Sequence, residues 1–354
     1  MRRILIAATV SLLAGSQMAL GSWLSDGKYA GEFLSLGVDA RALGMGGTYV
    51  ALATGASAAY WNPAGLAAIS AQEISLMHAE QFDGIVGYDY ISYGQPRPNG
   101  SGWGFGIARL GVDDIPITTL DNPSYDLGEI LPGGSINRVR VSEWTSDNEM
   151  AFFGGFGKAL SSKFSYGASA KIIGKWIAHE SAYGLGFDVG MRYLPMERVA
   201  LGAMLQDATT TALIWGTGHQ ELIAPTLKLG GAYQVDIPAL IAKLSIAAQT
   251  DLRFTNRGEA DQFQIGAMTA DVRLGLEYFI NVAGSGVALR AGAEPSREQK
   301  DEGFFGNYTF GAGLLLRHLH FDYAFLAHPE LGDTHRVALS IFWGHRIPTA
   351  GAGG

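Results

Sequence analysis

From Gln72 onward, apolar and polar side chains alternate with period two, in one segment after another of similar length. In the last of them Val337, Leu339, Ile341 and Trp343 oppose Arg336, Ala338, Ser340 and Phe342. Tyr183, Leu185, Phe187, Val189 and Met191 oppose Gly184, Gly186, Asp188 and Arg192 in the same way, and Val272, Leu274, Leu276 and Tyr278 oppose Arg273, Gly275 and Glu277. Period two places successive side chains on opposite faces of a strand. The segments fall near 72–80, 86–96, 101–112, 147–157, 163–178, 181–194, 198–206, 225–236, 243–254, 271–280, 285–295, 306–316, 319–326 and 334–343. There are about fourteen, each close to the ~9–11 residues a tilted strand needs to cross a bilayer. The pattern predicts an all-β chain: a fourteen-stranded antiparallel transmembrane barrel over residues 72–343.

The connections sort by parity. Even-numbered ones are short, as at Arg97–Gly100, Pro195–Glu197 and Arg317–His318, whereas the long ones, Asp113–Ser146, Asp207–Ala224, Thr255–Ala270 and Ser296–Phe305, are all odd-numbered. Outer-membrane barrels have short periplasmic turns and longer extracellular loops. The longest segment, Asp113–Ser146, reads as a loop with Pro116, Pro123, Pro132 and Gly133-Gly134, of a length usually tied to function.

Alternation alone also fits a soluble sandwich whose apolar face points inward. Three features favour the membrane barrel. Aromatic residues stand at the ends of the apolar faces, as girdles do. The opposite faces carry both signs of charge and many of the 49 glycines, which suits a filled lumen. The last strand ends on Phe342-Trp343, although a tail, residues 344–354, follows. Charged residues make up only 16% of the chain, against the ~25% usual in soluble domains. A net charge of −8 excludes the basic footprint of a nucleic-acid binder, and the absence of cysteine excludes disulfides and thiolate metal sites.

The N-terminus reads as an export signal over residues 1–21. Arg2-Arg3 are followed by an apolar stretch from Ile4 to Leu13 and the small-residue site Ala19-Leu20-Gly21, with Ser22 as the expected mature start. Residues 22–71 then read as a plug. Ala42 to Gln72 carries no charge, and Gly44, Gly46, Gly47, Gly55 and Gly65 argue against a second membrane helix. Asn62-Pro63 reads as a cap and first-turn proline of a short helix.

The run Asp39-Ala40-Arg41-Ala42-Leu43-Gly44-Met45-Gly46-Gly47-Thr48-Tyr49-Val50-Ala51, with Ala58-Ala59-Tyr60-Trp61-Asn62-Pro63-Ala64-Gly65-Leu66, resembles the start of PorV/PorQ-family outer-membrane proteins. That family sits within the FadL-like group of fatty-acid-transporter barrels. Gly111-Val112-Asp113-Asp114-Ile115-Pro116 is similar to the family as well. The resemblance implies a fourteen-stranded barrel with an N-terminal hatch in the bacterial outer membrane. In the PorV branch it further implies a non-enzymatic component of type IX secretion that binds exported cargo proteins. In the FadL branch it implies a channel for a hydrophobic small molecule. Asp39, Arg41, Gly44, Gly46, Gly47, Asn62, Pro63 and Gly65 carry the hatch motif.

Alternation assigns Lys171, Lys175, Asp188, Arg192, Lys228 and Asp251 to the lumen, together with Arg253, Arg273, Glu277, Arg290 and Arg317. Such a set fills a barrel with ion pairs and disfavours a continuous greasy tunnel. Nothing calls for a cofactor or a catalytic group. Gly44-x-Gly46-Gly47 lacks the preceding strand of a dinucleotide loop, and Gly157-Lys158 lacks the Ser or Thr of a phosphate loop. His318, His320 and Asp322 share a face at a strand end and read as a polar rim patch rather than a metal site. The expected partners are outer-membrane lipid and either secreted cargo with its machinery or a hydrophobic small molecule.

Overall fold

A computed structural model describes residues 31–82, 84–255, 261–266, 268–282, 285–295, 305–327 and 332–344. The expected export signal, the first residues of the plug and nearly all of the C-terminal tail lie outside them.

Seventeen strands follow in chain order: β1 (Gln72–Gln81), β2 (Val86–Arg97), β3 (Ser101–Leu120), β4 (Val139–Ala159), β5 (Phe164–Ile177), β6 (Glu180–Met196), β7 (Val199–Gln206), β8 (Thr211–Trp215), β9 (Gln220–Ile223), β10 (Thr226–Ile237), β11 (Ala242–Arg253), β12 (Phe263–Ile265), β13 (Met268–Val282), β14 (Ser285–Glu294), β15 (Asn307–Leu315), β16 (Leu319–Ala327) and β17 (Thr334–Trp343). Three are short additions: β8 extends the edge of β6, β9 pairs with β8, and β12 with β13. The other fourteen form a closed antiparallel barrel. Its seam is the pairing of β1 with β17, from Gln72↔Trp343 to Glu80↔His335. Closure leaves the barrel wall without a free edge, the condition for strands to cross lipid.

The two faces of the wall follow the alternation. On β6, Leu185, Phe187, Val189 and Met191 are exposed on the outside, while Asp188 and Gly190 are buried inside. The outward side chains of β11, β13, β14 and β15 are likewise exposed and apolar, among them Ile246, Leu274, Leu276, Leu289 and Phe310. An apolar exterior around a polar, filled interior inverts the pattern of a soluble barrel and places the molecule in the bacterial outer membrane.

Nearly half of the expected loop Asp113–Ser146 is strand. β3 runs on to Leu120 and β4 starts at Val139, with register shifts at Val112/Ile115 and Ile117/Thr118. This hairpin projects beyond the wall, and water reaches both its faces. Side chains there gain nothing from alternating, so the period-two signal fades although the ladder continues. The expected loop Asp207–Ala224 contains β8 and β9, of which β8 buries Thr211 and Leu213.

Residues 31–71 fill the bore as four short helical turns, at Glu32–Leu36, Ala40–Leu43, Ala58–Trp61 and Pro63–Ala68. Most of this segment is buried, and Val38, Met45, Tyr49, Trp61 and Leu66 are the centre of the hydrophobic core. The Trp61 ring meets Tyr49 and Tyr60 edge-on, with centroids 6.0 and 5.0 Å apart.

Candidate functional site

The hatch rests on glycine. Strand register aligns Gly102, Gly157, Gly167 and Gly190 as one row across β3, β4, β5 and β6. The backbone and side chains of Asn62–Ala67 lie directly on this row. A Cβ at Gly102 would overlap the Leu66 carbonyl, at Gly157 and Gly167 that of Pro63, and at Gly190 the Asn62 side chain. A second row, Gly94, Gly104 and Gly155, receives Ala56, Ala59 and Leu66. Farther round, Gly202 meets Val50, Gly275 meets Met45, and Gly292 meets Gly46. These glycines serve close approach, which any side chain would prevent. Within the hatch, Gly46 and Gly47 follow one another at φ 64° and 67°, a left-handed turn that needs glycine at both positions.

Polar anchors fix the register of this contact. Asn62 Oδ1 accepts from Ala64 N at 3.1 Å and caps the turn that starts at Pro63. Its Nδ2 donates to the carbonyls of Val50, at 2.8 Å, and of Met191 on β6, at 3.1 Å. Gln249 Oε1 on β11 accepts from the backbone N–H groups of both Tyr49 and Val50, at 3.1 and 3.0 Å. Arg192 Nε donates to Ala51 O at 3.0 Å, and Thr309 Oγ1 to Gly44 O at 3.2 Å.

Charge ties the hatch to the opposite arc. Arg41 grips Glu277 of β13 with Nε and Nη2, at 2.9 and 2.7 Å. Glu277 also accepts from Arg290 Nε at 2.7 Å, and Arg290 Nη1 reaches Asp322 at 2.6 Å. The result is an alternating chain of two cations and two carboxylates. Asp39 shapes the turn that presents Arg41: its Oδ1 accepts from Arg41 N at 3.0 Å and its Oδ2 from Ser57 Oγ at 2.7 Å. Burial, with the charge of Asp322 second, pushes the Asp39 carboxyl above the ordinary carboxylate range.

The remaining lumen charges are mostly committed to one another. Lys171 sits between Asp188 and Asp207, at 2.9 and 2.8 Å, fully buried. Arg253 bridges Asp261 and Asp271, at 3.0 and 2.7 Å, and Arg273 pairs with Glu294 at 2.6 Å while approaching Asp251 at 3.5 Å. Lys175 meets Glu149 at 3.1 Å, and Lys228 Nζ lies 5.9 Å over the Trp61 ring. Arg317 is the exception to the alternation. β15 ends at Leu315, so Arg317 lies in the exposed turn before β16, where the inward parity of the strand no longer applies. The rim residues do not converge: Asp322 is held by Arg290, His320 stacks on Phe342 at 4.4 Å, and His318 Nδ1 is 3.2 Å from Phe342 O. Sequence reasoning put Asp322 in a rim patch rather than in the ion chain, and it missed Gln249 and the glycine rows, whose meaning depends on register.

Small cavities remain on both sides of the hatch. Toward the long-loop end, one of about 100 Å³ is lined by Tyr60, Trp61, Lys228 and Asp251, and another of about 190 Å³ by Leu36, Leu43, Gln81 and Arg336. Toward the short-turn end, a cavity of about 190 Å³ lies beneath Asp39, Arg41 and Tyr49.

Solved structures share this fold. Two of them are toluene transporters. The Pseudomonas putida toluene transporter TodX superposes with a TM-score of 0.55 at 14% identity, over 88% of this chain and 99% of that one. The Ralstonia pickettii toluene transporter TbuX gives 0.54 at 13%, with the same coverage of both chains. A Pseudomonas aeruginosa FadL homologue gives 0.51 at 12%, over 86% and 98%. No protein-family profile matches the sequence, and no curated protein does. At these identities the likeness is one of fold. It lies with FadL-type barrels; the expected PorV/PorQ assignment and secretion role draw no support from it.

Proposed function

We propose that this chain is a non-enzymatic outer-membrane channel for small hydrophobic molecules, with residues 31–71 as its gate. The observation that carries the reading is the manner in which the bore is closed. The hatch is made of apolar residues resting on glycine rows, and few polar anchors hold it in register. Most of the described lumen charges are paired among themselves or with Arg41, with Arg192, Lys228 and Arg336 the exceptions, which leaves few free charges to select an ion. The fold neighbours, two of them toluene transporters, support a hydrophobic cargo. In this reading Asp39, Arg41, Gly44, Gly46, Gly47, Asn62, Pro63 and Gly65 form the gate, and the lumen-facing charges frame it.

The test is accumulation of radiolabelled toluene and of a labelled long-chain fatty acid by cells that express the chain, against cells with an empty vector. Faster uptake of either compound, lost when residue 41 is tied to the wall through an Arg41→Cys/Glu277→Cys pair bridged by a bifunctional thiol reagent, is the expected result. Unchanged uptake of both, with exported proteins co-purifying from outer membranes, would replace the channel by the secretion role.

A further inference from the structure

Arg336 of β17 points into the lumen beside the β1–β17 seam, with a relative exposure of 4%. Unlike Arg253, Arg273 and Arg290, it has no ion pair among the described residues, and its Nε has no hydrogen-bond partner there. The nearest carboxylate of influence, Glu294, is taken by Arg273 at 2.6 Å. Burying an uncompensated cation is costly, and buried charges are paired in folded proteins.

Arg336 lines the cavity of about 190 Å³ at the long-loop end. Two other buried side chains line it with unmatched polar atoms: Gln81, through Nε2, and Asn307, through its amide oxygen. The Asn307 amide, turned over, offers a further N–H. Tyr88 stands in the same cross-strand row as Arg336, with Ala79 between them, and its buried hydroxyl also lacks a partner. Among the described residues the charged groups facing the space are Arg336, Arg273 and Glu294, two cations and one anion. Leu36, Leu43 and Leu326 provide an apolar side.

We propose that this cavity is a binding site for a compact organic monocarboxylate, its carboxylate held by Arg336 and Gln81 and its body against the leucines. The charge left over at Arg336 calls for one negative charge. The apolar side calls for a hydrocarbon body. The volume suggests the size of the body, since a dry cavity of roughly 150 Å³ holds benzene, and the described space of about 190 Å³ takes a single ring with a carboxylate. The site binds its ligand whether or not hydrocarbons cross the barrel, so it stands apart from the channel reading.

The experiment is isothermal titration of the purified, detergent-folded full chain with benzoate, with benzyl alcohol as the neutral counterpart and formate as the bare carboxylate. Benzoate is expected to bind at least about tenfold more tightly than either, the share of a charge-assisted hydrogen bond. Arg336→Gln, with unchanged heat-modifiable migration, is expected to remove that preference. Should that variant fail to fold, Gln81→Leu is expected to weaken benzoate and leave benzyl alcohol alone. Equal binding of benzoate and benzyl alcohol, formate binding as tightly as benzoate, no benzoate binding, or full preference retained in whichever variant folds would each overturn the assignment.

Discussion

The two arcs of the wall hold the same hatch by different physics. Along β3 to β6 the contact is mainly steric: Asn62–Ala67 lies on Gly102, Gly157, Gly167 and Gly190, with side-chain anchors from Asn62 to Met191 and from Arg192 to Ala51. Along β13 to β16 close approaches at Gly275 and Gly292 are joined by an ion chain through Arg41, Glu277, Arg290 and Asp322. Close packing is short-ranged and is lost with any change of volume. A buried ion chain tolerates small displacements but not the loss of one member, because the remaining charges are stranded. The first arc therefore fixes where the hatch sits, and the second fixes how firmly it is tied.

The largest effect is expected at the hub of the ion chain. Glu277→Ala leaves Arg41 and Arg290 facing one another and should cost about 3–5 kcal/mol, the range for breaking a buried pair, read from denaturant unfolding of the detergent-folded barrel. A loss below about 1 kcal/mol would mean that water already screens this arc as it does surface pairs. Next, Gly167→Ala puts a methyl group on the Pro63 carbonyl and should cost about 1–3 kcal/mol by overpacking, with protease cleavage appearing between residues 45 and 65. An uncleaved, equally stable variant would show that the hatch does not depend on the glycine row. Asn62→Ala should lose about 1 kcal/mol, the usual value of a cap, and raise passive entry of a large hydrophobic antibiotic; unchanged entry into cells with a folded barrel would confine Asn62 to assembly. The smallest effect serves as the control. Gly154→Ala, on the outer face of β4, meets only Phe105 at 3.8 Å and should stay within about 0.5 kcal/mol.

The strands of the barrel were legible because lipid and lumen impose opposite demands on alternate residues, as on β6 from Tyr183 to Arg192. The signal ended wherever that contrast ended. It faded on the hairpin beyond Val112, where both faces meet water, and it misplaced Arg317, two residues past the last paired position of β15. The hatch was legible as an uncharged, glycine-rich stretch, yet its partners were not. Period two puts Gly157 on the inner face and Gly154 on the outer, but only the folded chain shows that Gly157 meets Pro63. Alternation likewise places Arg336 and Arg290 on the same inner face, but pairing across the barrel distinguishes a satisfied guanidinium from a stranded one.

A glycine row has one more consequence. Side chains that interlock resist sliding as much as separation, as a key resists turning in the wrong lock. Gly102, Gly157, Gly167 and Gly190 present bare backbone, so the turn of Asn62–Ala67 faces a rail without teeth. Motion along that rail breaks no interdigitation and forces no rotamer to change. What it must break is countable: the clasp of Gln249 on two backbone amides, the hold of Asn62 on Met191, the bonds of Arg192 to Ala51 and of Thr309 to Gly44, and the grip of Arg41 on Glu277. These contacts act as detents on an otherwise smooth bearing, and their strength sets how far the hatch travels.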